Sequence, residues 1–327
     1  MFTFIKAYIK SMRLYYSFVT GIAGWVGVVY YEYIVKTYTR CMIDTTLFTR
    51  KKIIILLMLF LSWGINQIIN DFLGLKEDRI NAPERPMVIG KLNPIAALIV
   101  SSLFLVICGL VTWFCLEPVA LVFLIAGVGL NIFYEYAKGY GILGNIVFGF
   151  MITMATLYGC FALGPIESKL LLSHGIFAVI LIFILNALMT FYTYFKDYHG
   201  DKQTGKKTIV VIFGLNKSKK VALTASFLPM IAFVILLSTN ILFVELNVTF
   251  IILGILSLFL LIWTGFLFYK QPSGKNTYDS LKINFRACVC GEVAIIALFN
   301  QTLAIWLFII SYILIGFLFG LHKNRKA

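Results

Sequence analysis

Two short stretches of this chain gather the residues that could do chemistry. In YFKDYHGDKQTGKKT, residues 194–208, Asp197 and Asp201 lie four apart and share a face if the segment is helical. Two carboxylates that close repel each other unless a positive charge sits between them. Mg²⁺ suits such a gap, because it prefers oxygen and is often held by one or two carboxylates together with substrate phosphates. Lys202, Lys206 and Lys207 could meet the remaining phosphate charge, and Gly200 and Gly205 let the backbone turn closely. The second stretch is INDFLGLKEDRINAPERP, residues 69–86. Asn70, Gly74 and Asp78 fall at i, i+4 and i+8 on one face, and Asp71 borders that face. Arg79, Asn81, Arg85 and Lys91 follow, and Pro83 and Pro86 stiffen the exit.

The elements that must carry these stretches are membrane-length helices. Of 327 residues 61% are hydrophobic and only 13% charged, against roughly 45–50% apolar and 25% charged in soluble domains. A span needs roughly 20 apolar residues, so this length has room for about eight to ten. The apolar runs fall at roughly 14–34, 53–73, 94–115, 118–136, 143–163, 173–194, 221–240, 248–268, 285–301 and 303–321. The last two abut at Asn300-Gln301 and read either as one long tilted helix or as a ninth and a tenth span. No long stretch looks soluble, so residues 1–327 form one membrane domain. Both acidic stretches then sit at span ends, after the second and sixth runs, on the same side of the bilayer.

A net charge of +14 in a soluble chain would suggest nucleic acid. Here the bases cluster between apolar runs, where they orient the spans and meet anionic lipid, so membrane lipids and not nucleic acid are the expected partners. With the N-terminus in the cytoplasm, most lysines and arginines fall on the inner side, as does the tail HKNRKA, which favours ten spans. The exception is the first loop, with Lys36, Arg40, Arg50, Lys51 and Lys52; loop 5–6 carries only Lys169. The six cysteines mostly lie inside apolar runs and read as packed thiols, since Cys288-Val-Cys290 has no second pair beside it. Asn66, Gln67, Asn131, Asn145, Asn186, Glu292, Asn300 and Gln301 lie at membrane depth. Helix-to-helix hydrogen bonding explains most of them, and Asn66, one turn before Asn70, could line a cavity.

A solvated helix cap would explain one acidic stretch, but two of the same design on one side point to a site. Together they resemble the UbiA superfamily of intramembrane prenyltransferases. The first family motif, NDxxDxxxD followed by a form of NxPxRP, reads here as Asn70 to Asp78 and then Asn81-Ala82-Pro83-Glu84-Arg85-Pro86. The second, DxxxD followed by Gly-basic-basic-Thr, reads as Asp197 to Asp201 and then Gly205-Lys206-Lys207-Thr208. Between them FYEYAKGYGILGN supplies the Tyr134, Lys138, Gly144 and Asn145 often found in the family, and Arg13 fits the usual basic residue before the first span. The resemblance runs over about residues 10–301, in order and in spacing.

That resemblance implies an all-α polytopic bundle of nine core transmembrane helices around a central cavity, with the run at 303–321 an addition. It implies that an allylic polyprenyl diphosphate is ionised with Mg²⁺ and that the prenyl group passes to an aromatic or lipid acceptor at a cytoplasmic mouth. Asp71, Asp78, Asp197 and Asp201 are the implied metal ligands, assisted by Asn70. Arg85, Lys138 and Lys202 are the candidates for the diphosphate oxygens, with Tyr134 beside the diphosphate and Asn145 in the substrate-binding set. One position departs from the pattern: the middle acid of the first motif is Gly74. Glu77 is a poor substitute, lying about 60° from residue 74 around the helix. This loss keeps a terpene cyclase of the same fold as an alternative. A non-catalytic lipid-binding or transport protein is the alternative from another class, but its mark would be broken helices and charge at mid-membrane.

Overall fold

The computed structural model describes residues 2–38, 45–165, 173–239, 245–274 and 277–323. Arg40, Lys169 and the last four residues of the basic tail lie outside them. The chain is a helical bundle. After α1 (Phe2–Met12) and a 3₁₀ turn (Leu14–Tyr16) come α2 (Ser17–Tyr38), α3 (Thr45–Leu73) and the short α4 (Leu75–Asn81). Then follow α5 (Pro94–Cys115), α6 (Ala120–Ala137), α7 (Leu143–Leu163), α8 (Ser173–Gln203), α9 (Ile209–Ala225), α10 (Leu228–Ser238), α11 (Val248–Lys270), α12 (Thr277–Phe299) and α13 (Gln301–Lys323). Among the described residues nine helices are long and apolar enough to cross a membrane. The 23-residue α12 is not one of the nine, because it carries Lys282, Arg286 and Glu292, yet it is buried along most of its length.

Burial sorts the helices. The flanks of α5, α6, α10, α11 and α13 expose Phe114, Ile125, Ile235, Val248 and Trp306 to the surroundings. A contiguous apolar exterior on this scale belongs in lipid, and the chain is an integral multi-pass membrane protein. Helices α7 and α12 are the most enclosed. Apolar burial gives little drive between helices in lipid, so close backbone approach and polar bonds hold them. Thr156 Oγ1 donates to the Ala23 carbonyl at 2.8 Å, joining α7 to α2. Asn186 Nδ2 donates to Glu292 Oε1 at 2.9 Å, and Asn284 Nδ2 to the Met189 carbonyl at 2.9 Å, joining α8 to α12.

The structure decides between the two readings of the C-terminal runs. Asn300 ends α12 by donating its N–H to the Ile296 carbonyl, and its Oδ1 accepts from the Leu303 N–H at 3.1 Å to start α13. The two helices then pack on each other. The seventh run differs from its expected bounds. It begins at Ile209, where the Thr208 hydroxyl accepts from Val211 N–H, and it bends at Gly214 (φ 70°) before Pro229 opens α10. Lys217, Lys219 and Lys220 hide the first part from hydropathy.

At one end of the bundle three connections lock together. Helix α3 continues almost unbroken into α4, since Gly74 donates to the Asn70 carbonyl at 2.8 Å and Asp78 N–H to the Gly74 carbonyl at 3.0 Å. Residues Tyr140–Gly141 pair in parallel with Lys207–Thr208, tying the α6–α7 loop to the stretch after α8. Asn81 Oδ1 accepts from Gly200 N–H at 2.8 Å. A Cβ at residue 200 would run into the Asn81 side chain, so the glycine leaves room for Asn81 in its present place between α4 and α8.

Candidate active site

These connections enclose a polar cavity. Asn70, Asp71 and Asp78 reach it from α3 and α4, and Asp197 with Thr190, Thr193 and Lys196 from α8. Tyr134, Glu135 and Lys138 come from the end of α6, Phe148 from α7, and Arg13 with Tyr16 from the N-terminal turn. A second hollow, which includes Lys10, Glu84 and Tyr278, shares Arg13, Asp71, Arg85 and Lys196 with it and continues it outward. Acids from both sequence stretches therefore line one space.

Charge in the cavity is paired. Arg13 takes φ 47°, the only non-glycine residue with positive φ among the described residues, and a conformation of that kind is held by its surroundings. Its buried guanidinium pairs with Asp71. Asp71 Oδ1 also accepts from Arg85 Nη1 at 3.2 Å and from Gln67 Nε2 at 3.3 Å. Arg85 reaches Asp78 as well, and so bridges the two acids of the first stretch. Burial works against the Arg85 charge, but Asp71, Asp78 and Asp197 outweigh it and raise its pKa above the ordinary arginine value. Burial raises the Asp78 pKa, and Arg85 only partly offsets this. Lys196 lies 3.5 Å from Asp197.

A second network borders the cavity. Lys138 and Lys206 each lie 2.9 Å from the carboxylate of Glu135, and Lys206 also lies 3.1 Å from Glu77. Asp201 is buried, within electrostatic reach of Asp197, Lys138 and Lys206, and its Oδ2 has no hydrogen-bond partner. Asn70 Oδ1 is likewise buried and unpartnered. The Tyr134 and Phe148 rings meet at 5.4 Å, and with Tyr16 they give the cavity an aromatic wall.

The oxygen donors fit Mg²⁺ in kind. Four carboxylates (Asp71, Asp78, Glu135 and Asp197) and the unpartnered amide oxygen of Asn70 border one space, with no sulfur or imidazole among them. They do not form a ready-made cage, since among the described residues no three acidic, histidine or cysteine side chains are gathered for a metal, and arginines stand between the acids. Arg13, Arg85, Lys138 and Lys196 fit a second need, the charge of a phosphorylated ligand.

Of the residues expected from sequence, Asn70, Asp71, Asp78, Arg85, Tyr134, Lys138 and Asp197 line the cavity. Asp201 is buried and within electrostatic reach of Asp197 but is not among the residues lining the cavity. Two expected residues are elsewhere. Lys202 is exposed, its ammonium 5.8 Å above the Tyr198 ring, because it points to the far side of α8 from Asp197 and Asp201. Asn145 donates to the Ala187 carbonyl at 3.2 Å, tying α7 to α8. It is Gln67, not Asn66, that reaches the site from the preceding turn of α3. Sequence reasoning also passes over Gln67, Glu135 and Lys196 as site residues. Helical spacing is the available signal: Gln67 precedes Asp71 by four, and Glu135 precedes Lys138 by three.

Three comparisons bear on this geometry. The model of the UbiA prenyltransferase family matches residues 44–288. Digeranylgeranylglyceryl phosphate synthase of Pyrococcus horikoshii is 27% identical over 229 residues, 69% of this chain and 76% of that one. Among solved structures, the apo UbiA homolog from Aeropyrum pernix superposes with a TM-score of 0.65 at 16% identity, covering 86% of this chain and 97% of that one. A UbiA homolog from Archaeoglobus fulgidus bound to DMAPP and Mg²⁺ gives 0.60 at 14% identity, covering 89% and 99%.

Proposed function

Since this chain belongs to the UbiA prenyltransferase family, we propose that it moves a prenyl group from an allylic polyprenyl diphosphate to a lipid acceptor, with Mg²⁺. The observation that carries this reading is that Asp71, Asp78 and Asp197, from two separate stretches, line one cavity with four basic side chains. Asp71, Asp78, Asp197 and Asp201, with Asn70, would hold the metal. Arg13, Arg85, Lys138 and Lys196 take the diphosphate oxygens; Arg85 reaches them from its present place between Asp71 and Asp78. The Archaeoglobus homolog bound to DMAPP and Mg²⁺ supports this ligand class.

Diphosphate leaves easily only when its charge is neutralised, and bound Mg²⁺ supplies much of that neutralisation. The chain's own cations add fixed positive charge where negative charge develops as the allylic C–O bond breaks. Tyr16, Tyr134 and Phe148 line the cavity where the cation would form, and aromatic rings can stabilise a cation. That cation must be kept from water, which would quench it. The acceptor oxygen then attacks and loses its proton. The lipid phosphate named as the product of the Pyrococcus relative supports a glycerophosphate-type acceptor over an aromatic one.

The whole chain acts as one membrane domain, with a core of about residues 10–301. The cavity mouth and the N-terminus face the cytoplasm on the balance of bases. Part of the exceptional first loop is neutralised, as Lys51 pairs with Glu117 at 2.7 Å and Lys52 with Glu32 at 2.6 Å.

The test is incubation of purified protein with Mg²⁺ and labelled allylic diphosphates, with and without acceptor. Diphosphate release that depends on an added prenylglyceryl phosphate is expected. Release that depends on an aromatic quinone precursor overturns the acceptor assignment. Release without acceptor, with a cyclic product, replaces transfer by cyclisation. No release at any chain length removes the enzyme reading.

A further inference from the structure

Position 74 lacks the acid of the family motif that the first stretch resembles, but the space beside it is not empty of charge. A Cβ built on Gly74 would lie 3.5 Å from Glu135 Oε2 and 3.6 Å from Glu135 Oε1. A carboxylate on residue 74 and the carboxylate of Glu135 would therefore compete for the same volume. Gly74 itself has φ −93° and ψ 17°, a backbone conformation open to any residue. The glycine is thus not required by the turn, and what fills its side-chain space is an acid from a different helix.

We propose that Glu135 supplies to the cation site the carboxylate that position 74 lacks. This rests on the prenyl-transfer reading. Glu135 lines the cavity together with Asn70, Asp71, Asp78 and Asp197, whereas Glu77 does not line it and faces Lys206. Without a divalent ion the Glu135 carboxylate is neutralised by Lys138 and Lys206. A bound diphosphate offers Lys138, which lines the cavity, other oxygens, and Glu77 remains to Lys206, so the Glu135 carboxylate is then available to the cation. The acid at this spot thus comes from the end of α6 instead of from α3–α4.

The experiment measures Mn²⁺ uptake by electron paramagnetic resonance on the full-length purified protein, with inorganic diphosphate present and no prenyl substrate, so that nothing turns over. Displacement by Mg²⁺ reports the natural ion. The variants are Glu135→Ala, Glu135→Gln, and Glu135→Ala combined with Gly74→Asp or with Gly74→Ala. The last controls for the Cβ itself, which would sit 3.1 Å from the Asn70 carbonyl. Melting temperatures without metal report the fold, and Glu135→Gln keeps the question answerable if the alanine variant unfolds. Both single substitutions should weaken Mn²⁺ binding by about tenfold or more. Gly74→Asp should restore most of that loss, and Gly74→Ala none of it. Unchanged Mn²⁺ affinity with altered metal-free diphosphate affinity would make Glu135 only a holder of Lys138 and Lys206, and would overturn the proposal. So would an aspartate at 74 that rescues no better than alanine. If the unaltered protein takes up no Mn²⁺ with diphosphate, the prenyl-transfer reading itself fails, which is a separate result from loss in the variants alone.

Discussion

Asp197 and Asp78 reach the cavity from different helices, and neither can replace the other. Asp78→Ala and Asp197→Ala should each lower kcat by at least about 10³, the scale of losing a fixed electrostatic contact in a closed site, with the change read in steady-state assays of diphosphate release. Arg13 shows a different dependence. Its guanidinium and Asp71 are both buried, and removing one partner of a buried pair typically costs about 3–5 kcal/mol. Asp71 keeps Arg85 and Gln67 as partners, so Arg13→Ala should fall at the lower end of that range, read by thermal unfolding in detergent. Gly74→Asp alone brings a second carboxylate against Glu135. It should lower the melting temperature without Mg²⁺ and recover with it, because two close acids tolerate each other only around a cation.

The contact between α4 and α8 is the element on which the site depends most. Asn81 accepts from Gly200 N–H, and glycine at 200 leaves room for its side chain. Gly200→Ala should force the two helices apart, costing about 1–3 kcal/mol as an overpacked contact, and should raise KM for the diphosphate more than it lowers stability in the absence of ligand. Asn81→Ala at a normal Gly200 should show the milder defect. The apolar runs reveal most of the helices, though not α4 or the start of α9, and the acidic faces are legible in the spacing of Asn70, Asp78, Asp197 and Asp201. What the spacing does not carry is which side of a helix meets which neighbour. Lys202 follows Asp201 directly yet points away from the cavity. Asn145 ties two helices instead of touching the site. Glu135 sits between two residues that sequence reasoning picks out, and its role emerges only when α6 is placed against Gly74.

For the molecule as a whole, the C-terminal helix is part of the frame and not an appendage. Phe319 of α13 packs with Tyr15, Tyr278 and Phe285 at ring-centroid distances of 4.3, 5.7 and 5.3 Å. Tyr15 and Tyr278 line the outer hollow, so α13 braces the mouth. Arg286 donates to the Tyr312 carbonyl at 3.1 Å and lies 4.1 Å over its ring. Ending the chain after Asn300 should therefore leave Arg286 unpartnered against lipid, lower the melting temperature and reduce activity, although the family match ends at residue 288. The proposed function has the two acidic stretches act together through Mg²⁺ on one diphosphate. Its most direct measurement is Mg²⁺-dependent release of diphosphate from a labelled allylic diphosphate, compared between the unaltered protein, Asp78→Asn and Asp197→Asn. Release by the unaltered protein that vanishes on chelation and in both variants is the predicted result. Release that survives either substitution, or that needs no divalent cation, would contradict it.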